Sequence, residues 1–384
     1  MGTEMRILHL CLSCFYIDDA GYQENHLVRQ HVADGHEVLV IASTEIFDGK
    51  GGLGYAEPGS YIGSDGAKVI RIPYVGWLPH KIGRKLRIHA GVYQLIEAFG
   101  PEAILFHGCA GNEIATAARY AAAHPDVLLY ADSHEDLNNS ARSFVSKNLL
   151  HRMFYRSRLR TALPQIRKLL CINVEAMDFM AGLYGVPRDQ LEFFPLGGHV
   201  LEGPDIAERR AKTRSQFDLQ EDAFVFLQSG KMTSRKKLAD SLDAFARLEG
   251  AHLRFWVAGL LTDETKTDLS AKIEADPRVS FLGWKSPDEL NDLLCAADAY
   301  LQPGTQSVTM QNALCCGCPV IIDDVPGHRP YVSAGASLVH DPSSLLNAMQ
   351  EALTWDQTGK RATALRFAKE QLDYKKLAKR PLEA

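Results

Sequence analysis

Short apolar runs alternate with amphipathic helical stretches along almost the whole chain, and that alternation leaves few architectures open. Arg6–Leu12 reads as a strand, Tyr22–Asp34 as an amphipathic helix stopped by Gly35, and Glu37–Ala42 as a second strand. Strand, helix and strand joined this closely form a βαβ unit, with parallel strands and a right-handed crossover. Lys68–Ile72, Ala103–His107, Val127–Ala131 and Lys168–Ile172 continue the series, with helical stretches such as Asn112–Ala123 between them. Gly49–Gly66, rich in glycine and polar residues, reads as a long excursion. A second series starts near Ala223. Its strands are Ala223–Gln228, Leu253–Ala258, Val279–Leu282, Asp298–Leu301 and Val320–Ile322, and its helices are Leu238–Leu248, Pro287–Ala297 and Met310–Cys315. The loop-like Gly197–Asp205 separates the two, and Arg361–Lys379 reads as a helix with no strand after it. The fold class is α/β throughout.

Length and charge narrow the options further. A chain of 384 residues is long for one domain, which fits the two series. With 46% apolar and 23% charged residues it has the composition of a globular protein with a sizeable core. A formal net charge of -5 argues against a general nucleic-acid binder. No amino-terminal apolar segment resembles a signal peptide and no apolar run is long enough to span a bilayer, so a cytoplasmic location is expected. The eight cysteines include a C-x-x-C pair, Cys11 and Cys14, and a cluster at Cys315, Cys316 and Cys318. Neither group has the second knuckle that a zinc site needs, so they read as reduced, buried small hydrophobes.

Three stretches carry chemistry. In Tyr300–Ile322 a strand gives way to Pro303–Gly304, then to Thr305-Gln306-Ser307 where a helix needs its N-cap, then to a short helix stopped by Gly317 and Pro319. A helix start behind a strand gathers backbone N–H groups and a positive dipole end, which favour a bound anion; an ordinary βα turn has the same pattern. The strand Ala223–Gln228 runs into a cationic loop with Ser229, Gly230, Lys231, Arg235, Lys236 and Lys237. Cations at a strand end face the crevice edge of an open sheet and suit a diphosphate. The turn after the first strand lacks G-x-G-x-x-G, which disfavours a dinucleotide enzyme, although Gly21 still allows close backbone approach. Finally, Arg142–Lys168 holds eight Lys/Arg and no acid, interleaved with apolar residues, and Trp77–Arg87 repeats the pattern with Lys81, Arg84, Lys85 and Arg87. Such stretches are either solvated helix faces or surfaces for anionic lipid.

The order of these motifs resembles family 4 retaining glycosyltransferases of the GT-B fold. GKMTSRKKLADSLDAFARL is similar to the family's donor-phosphate loop and following helix. ADSHED resembles its active-site histidine segment, FPLGGH its domain-crossing loop, and VSFLGWKSPDELNDLLCAADAYLQP its base-binding loop and helix. ALCCGCPVI resembles the end of the family signature. The resemblance implies two Rossmann-like domains facing a central cleft. An acceptor domain would span 1–198 and a donor domain 199–360, with the helix at about 361–384 docking back on the first.

By position, Lys231 and Lys236 would hold the donor diphosphate and His134 would sit beside the transferred sugar. Ser229, Gly230 and Gly21 would approach the diphosphate, and Gly283, Trp284 and Lys285 the base. The family's Glu-x7-Glu pair falls on Gly304 and Asn312, neither acidic, which leaves Gln306, Gln311 and Asn312 to recognise sugar and ribose. Lys237 stands where the family usually has glycine.

The implied activity is transfer of a sugar from a nucleotide diphosphate, UDP by family frequency, to a saccharide acceptor with retention of configuration. The basic stretches suggest a lipid-linked acceptor at the inner membrane face, as in bacterial surface-polysaccharide biosynthesis. No metal or cofactor is implied. Two alternatives remain: a GT-B nucleotide-sugar epimerase, which the missing acids disfavour, and a non-catalytic nucleotide-sugar or glycan-binding relative.

Overall fold

The computed structural model describes residues 4–47, 52–135, 140, 141, 143, 144, 146–304 and 307–383. The chain divides into two units, Met1–Pro195 with Tyr374–Ala384, and Leu196–Asp373.

The first unit is built on an eight-stranded sheet. Its strands are β1 (Arg6–Cys11), β2 (Glu37–Ser43), β3 (Gly59–Ile62), β4 (Lys68–Ile72), β5 (Ala103–Phe106), β6 (Leu128–Ser133), β7 (Leu169–Cys171) and β8 (Leu191–Phe193). They lie in the order β8-β7-β6-β5-β1-β2-β4-β3, and every pairing is parallel except β3 with β4. Parallel strands need both faces covered, and the sequence obliges: after Arg6 every residue of β1 is buried. Leu8 and Leu10 face one core with Phe106 and Ile114, while Ile7 faces another with Leu27 and Leu377. His9 lies in this same buried strand and is fully buried, with helix Gln23–Ala33 supplying His31 opposite it.

The second unit carries a fully parallel six-stranded sheet of β9 (Phe224–Met232), β10 (Leu253–Leu261), β11 (Val279–Gly283), β12 (Ala299–Gln302), β13 (Val320–Asp323) and β14 (Ser337–Val339). The order is β11-β10-β9-β12-β13-β14. In each unit the first strand is central and the chain winds away from it in both directions. The crevice where that winding reverses lies beyond the carboxyl ends of β1 and β5 in one unit, and of β9 and β12 in the other. Open α/β sheets bind ligands there.

The structure corrects several boundaries. The excursion at Gly49–Gly66 contains part of a hairpin, Glu45–Phe47 paired with Leu53–Tyr55, and the antiparallel β3; residues 48–51 lie outside the described ones. β9 does not end at Gln228. It runs to Met232 because β10 pairs with it along its whole length, Gly230 opposite Gly259. Lys231 therefore sits on the strand and not in a loop. The carboxy-terminal helix is also broken: Gln357–Phe367 belongs to the second unit and Tyr374–Leu377 packs in the first. β8, β14 and helix Pro342–Ala352 were not legible from apolar runs, since β8 and β14 are three-residue edge strands.

Candidate active site

At the crevice of the second unit, β9 delivers Ser229, Gly230 and Lys231. Ser229 is buried with its Oγ 3.1 Å from Tyr300 Oη on β12. Gly230 and Gly259 bring the two strands so close that a Cβ at 259 would sit 1.9 Å from the Gly230 carbonyl oxygen. Both have positive φ, 125° and 134°, which a side chain would strain. Lys231 projects into solvent, whereas Lys236 is half-buried. A turn returns Lys236 to the strand end: its amide donates to the Thr233 carbonyl at 2.9 Å and its own carbonyl accepts from Gln228 Nε2 at 2.9 Å. That places its amine 3.8 Å from where a Gly230 Cβ would be. No ion pair to Lys236 occurs among the described residues, and burial alone lowers its ammonium below the ordinary lysine value. Lys237 adopts a left-handed φ of 53° and pairs with Asp323 at 3.4 Å. This conformation is the one glycine adopts freely, which accounts for glycine at this place in the resembling pattern.

Beyond β12, Gly304 is buried against the turn just described. A Cβ on it would lie 2.1 Å from the Arg235 carbonyl oxygen and 3.0 Å from the Lys236 backbone. The place of the first expected acid therefore has no room for any side chain. Helix Val308–Cys315 follows, capped by Ser307, whose Oγ accepts from the Thr309 amide at 3.2 Å. Thr305 and Gln306 lie outside the described residues. Gln311 is buried, and its Oε1 accepts from the Gly197 amide at 2.8 Å, so it anchors that loop and is not presented to a sugar. Asn312, one residue on, turns its Oδ1 to within 3.1 Å of a Gly198 Cβ position. Sequence reasoning missed Gln302 at the end of β12. Its side-chain amide is buried with neither end bonded among the described residues, and Gln228 Oε1 is likewise unbonded. Buried amides without partners are uncommon and point to a polar ligand.

Gly283 ends β11 with φ 66° and open space where its Cβ would be. Trp284 beside it is 67% exposed, and Lys285 pairs with Glu289 at 3.6 Å across one helix turn. Both lie beyond the carboxyl end of the edge strand β11, which β10 and β9 separate from β12.

The crevice of the first unit has different contents. His134 follows β6, its Nε2 3.9 Å from Asp132 Oδ1. Asp132 is buried, with Oδ2 accepting from His107 Nδ1 at 2.5 Å and Oδ1 accepting from the Gly108 amide at 2.8 Å. Burial opposes its charge, yet His107 and these hydrogen bonds hold its carboxyl below the usual aspartate value. For His107, burial is outweighed by Asp132, Cys11 and Glu24, which lift it to about 10. Glu135 is pushed up to about 7 by burial, against the pull of Arg87 and the Ser133 hydroxyl. Glu24, in the first turn of helix Gln23–Ala33, is also raised by burial. Gly21 is exposed just before that helix and a Cβ there would meet His26 Nε2 at 3.8 Å. Asp132 and Glu135 flank His134 in ADSHED, so that segment itself was the signal for both.

The basic stretches are only partly surface. Arg87 turns inward at a left-handed φ of 51° and donates to the Ser13 and Ala110 carbonyls, so it is no surface cation. Lys81, Arg84, Lys85, Arg152 and Arg160 are exposed, as are Trp77 at 75% and Phe144 at 80%. The buried Tyr155 hydroxyl donates to the Lys85 carbonyl, so the two stretches touch. Arg142 lies outside the described residues, and no described helix is long and apolar enough to cross a membrane.

Comparison with known proteins places this geometry. Residues 22–197 match the model of the glycosyl transferase 4-like domain, and residues 209–367 match that of glycosyl transferases group 1. No sequence match was found among curated proteins. Anabaena HepE, solved in complex with UDP, superposes with a TM-score of 0.67 at 16% identity, over 98% of each chain. Sucrose-phosphate synthase from Thermosynechococcus elongatus gives 0.64 at 15% identity, over 98% of this chain and 96% of that one. WaaG, a glycosyltransferase involved in lipopolysaccharide biosynthesis, gives 0.57 at 16%, over 97% and 98%. With both units matched by glycosyltransferase models and the whole chain sharing their fold, this protein belongs to the GT-B glycosyltransferases.

Proposed function

We propose that the protein transfers a sugar from a nucleotide diphosphate, with UDP favoured, to a saccharide acceptor with retention of configuration. The observation that carries this is Lys236: a half-buried cation without an acidic partner among the described residues, held at the crevice of β9 and β12 beside Gly230. An unpaired half-buried ammonium is costly unless an anion completes it, and a donor diphosphate is such an anion. Lys231, with the amides of Gly230 and of the helix start at Ser307–Val308, adds to the same positive end. Gly283 and Trp284 receive the base, Ser229 and Asn312 assist with the donor, and the unbonded Gln302 offers an amide. Neighbouring structures contain UDP or UDP with glucose, which supports the nucleotide choice.

In this mechanism an acceptor hydroxyl approaches the anomeric carbon on the face from which the diphosphate departs. The sugar–phosphate C–O bond breaks, the new C–O bond forms, and the hydroxyl proton passes to the leaving phosphate oxygen. Lys231 and Lys236 stabilise charge growing on that oxygen, and His134 hydrogen-bonds the sugar or the departing phosphate. No side chain forms a covalent intermediate.

The acceptor domain is the first unit and the donor domain the second. The acceptor is lipid-linked, and the protein sits on the cytoplasmic membrane face by the two touching stretches, through Trp77, Lys81, Lys85, Phe144 and Arg152. Each basic residue near an anionic surface contributes about 1 kcal/mol. Likeness to a lipopolysaccharide glycosyltransferase supports a role in surface-polysaccharide assembly.

The test is incubation with a panel of nucleotide sugars, following released nucleoside diphosphate with and without acceptors. Transfer to an acceptor with retained configuration is expected. Interconversion of donor epimers, or donor binding without turnover on any acceptor, would overturn it in favour of an epimerase or a binding relative.

A further inference from the structure

Three buried histidines that the mechanism above does not use form a continuous line beneath His134. His31 Nε2 lies 2.7 Å from the Ala378 carbonyl oxygen. His31 Nδ1 lies 3.0 Å from His9 Nε2, and His9 Nδ1 lies 2.9 Å from His107 Nε2. His107 Nδ1 then meets Asp132 Oδ2 at 2.5 Å, and the other oxygen of Asp132 is the one 3.9 Å from His134. All three rings are at most 2% exposed.

Counting protons along this line fixes its charge. The Ala378 carbonyl only accepts, so His31 Nε2 carries a proton. A neutral His31 then accepts at Nδ1, so His9 donates from Nε2 and accepts at Nδ1. His107 must therefore donate from Nε2. Its Nδ1 faces a carboxylate oxygen, and that contact needs a proton as well. Four links require four protons and three neutral imidazoles supply only three, so the fourth is shared between His107 and Asp132. With the Asp132 carboxyl held down and His107 raised, it rests on His107.

We propose that His31, His9, His107 and Asp132 form a hydrogen-bonded chain holding one fixed imidazolium at His107, and that the resulting ion pair makes Asp132 a positioning residue for His134. The second half rests on the role proposed for His134. The excess proton stays at His107 because Asp132 is its neighbour, while His9 and His31 are held neutral by burial first and by the adjacent rings. Other titratable groups facing the chain are Glu24 and Cys11 toward His107, and Asp34 and His36 toward His31. Asp132 kept as a carboxylate draws the Nε2 edge of His134 toward it at 3.9 Å and so biases the orientation of that ring. The chain ends on Ala378, in the segment that returns to this unit, so the carboxy-terminal residues help set the proton positions at the site.

The experiment is NMR on protein labelled with 15N-histidine, at pH 8.5, with kinetics on the same samples. One of the fourteen histidines should be doubly protonated, with both nitrogens in the imidazolium range. That signal should vanish in Asp132→Asn, and in His107→Gln with fold retained by circular dichroism. Absence of any doubly protonated ring in the wild type at this pH, or its persistence in both variants, overturns the chain. For the positioning role, Asp132→Asn should lower kcat at least tenfold with donor KM within twofold of wild type; unchanged kcat overturns that role. A wild type that transfers no sugar to any acceptor while showing the imidazolium would remove the His134 reading and the positioning role with it, leaving the proton chain standing.

Discussion

The two units share a plan and differ in how they treat charge. Each has a central first strand and a crevice where the winding reverses. In the second unit that crevice is floored by glycines at 230, 259 and 304 and holds a half-buried lysine with no acid against it among the described residues. In the first, the corresponding edge is crowded with groups that neutralise one another: His107 with Asp132, and Glu135 lifted toward its neutral form. An electrostatically incomplete site is made for an anion, while a balanced one offers hydrogen bonds and protons without attracting charge. The difference suits a diphosphate on one side and sugar hydroxyls on the other.

The largest effect should come from removing the unbalanced cation. Lys236→Ala should lower kcat by about 10²–10³ and weaken donor binding as well, as loss of a charge-stabilising donor does. Near-wild-type kinetics by nucleotide-release assay would remove Lys236 from the mechanism and erase the contrast. His134→Ala, on the balanced side, should cost less, about 10–10² in kcat, with donor affinity kept. A larger loss there than at Lys236 would reverse the assignment of roles.

The glycine floor is tested by Gly304. Even Gly304→Ala places a Cβ 2.1 Å from the Arg235 carbonyl oxygen, so the turn that presents Lys236 must shift. About 1–3 kcal/mol should be lost, seen as a Tm drop of roughly 2–4 °C per kcal/mol, with weaker donor binding. Gly304→Glu, the residue usual in the family, should do no better. A gain of donor affinity in Gly304→Glu would show that the loop opens and that the acid was lost for selectivity alone.

Most of this contrast was legible only as position. The cationic loop, the helix start and the histidine segment stand out because strands end there and residue types change within a few positions. What could not be read was orientation. Gln311 and Asn312 are neighbours in sequence, yet only the fold shows Gln311 bonded to the Gly197 amide. Arg87 reads as a surface cation until its left-handed turn sends it to two buried carbonyls. The histidine chain was hidden for a different reason. His31 and His107 lie 22 and 98 residues from His9, and strand and helix burial gives no sign that the three meet.

The balanced side carries its own pH signature. His107 is raised to about 10 on folding, so its stabilising contribution is full below its unfolded value near 6.5 and is lost as pH rises through 10. His31 is lowered to about 4, so its contribution is present above 6.5 and is lost as pH falls through 4. Urea midpoints of the wild type should therefore fall on both sides of neutrality. His107→Gln should flatten the alkaline limb and, because Asp132 then loses the partner that holds its carboxyl down, shrink the acid one in part. An unaltered alkaline limb would mean that no ion pair at His107 is being discharged.

The smallest expected effect concerns the outer surface of the first unit, where the charge pattern inverts. Its site is balanced, but Lys81, Lys85, Arg152 and Arg160 on the outside form no ion pair among the described residues, and Trp77 and Phe144 of the same two stretches are exposed. Positive charge and aromatic rings together suit an anionic bilayer, the charges acting at a distance and the rings at the headgroup level. Liposome flotation should show binding to anionic vesicles that weakens in 0.5 M salt, as screening requires. Trp77→Ala combined with Phe144→Ala should reduce it by about three- to tenfold, equivalent to roughly 1 kcal/mol of apolar contact, without changing transfer to a soluble acceptor. Equal binding to neutral vesicles, or none to anionic ones, would return these residues to the status of a solvated face and confine the molecule's unbalanced charge to the donor crevice.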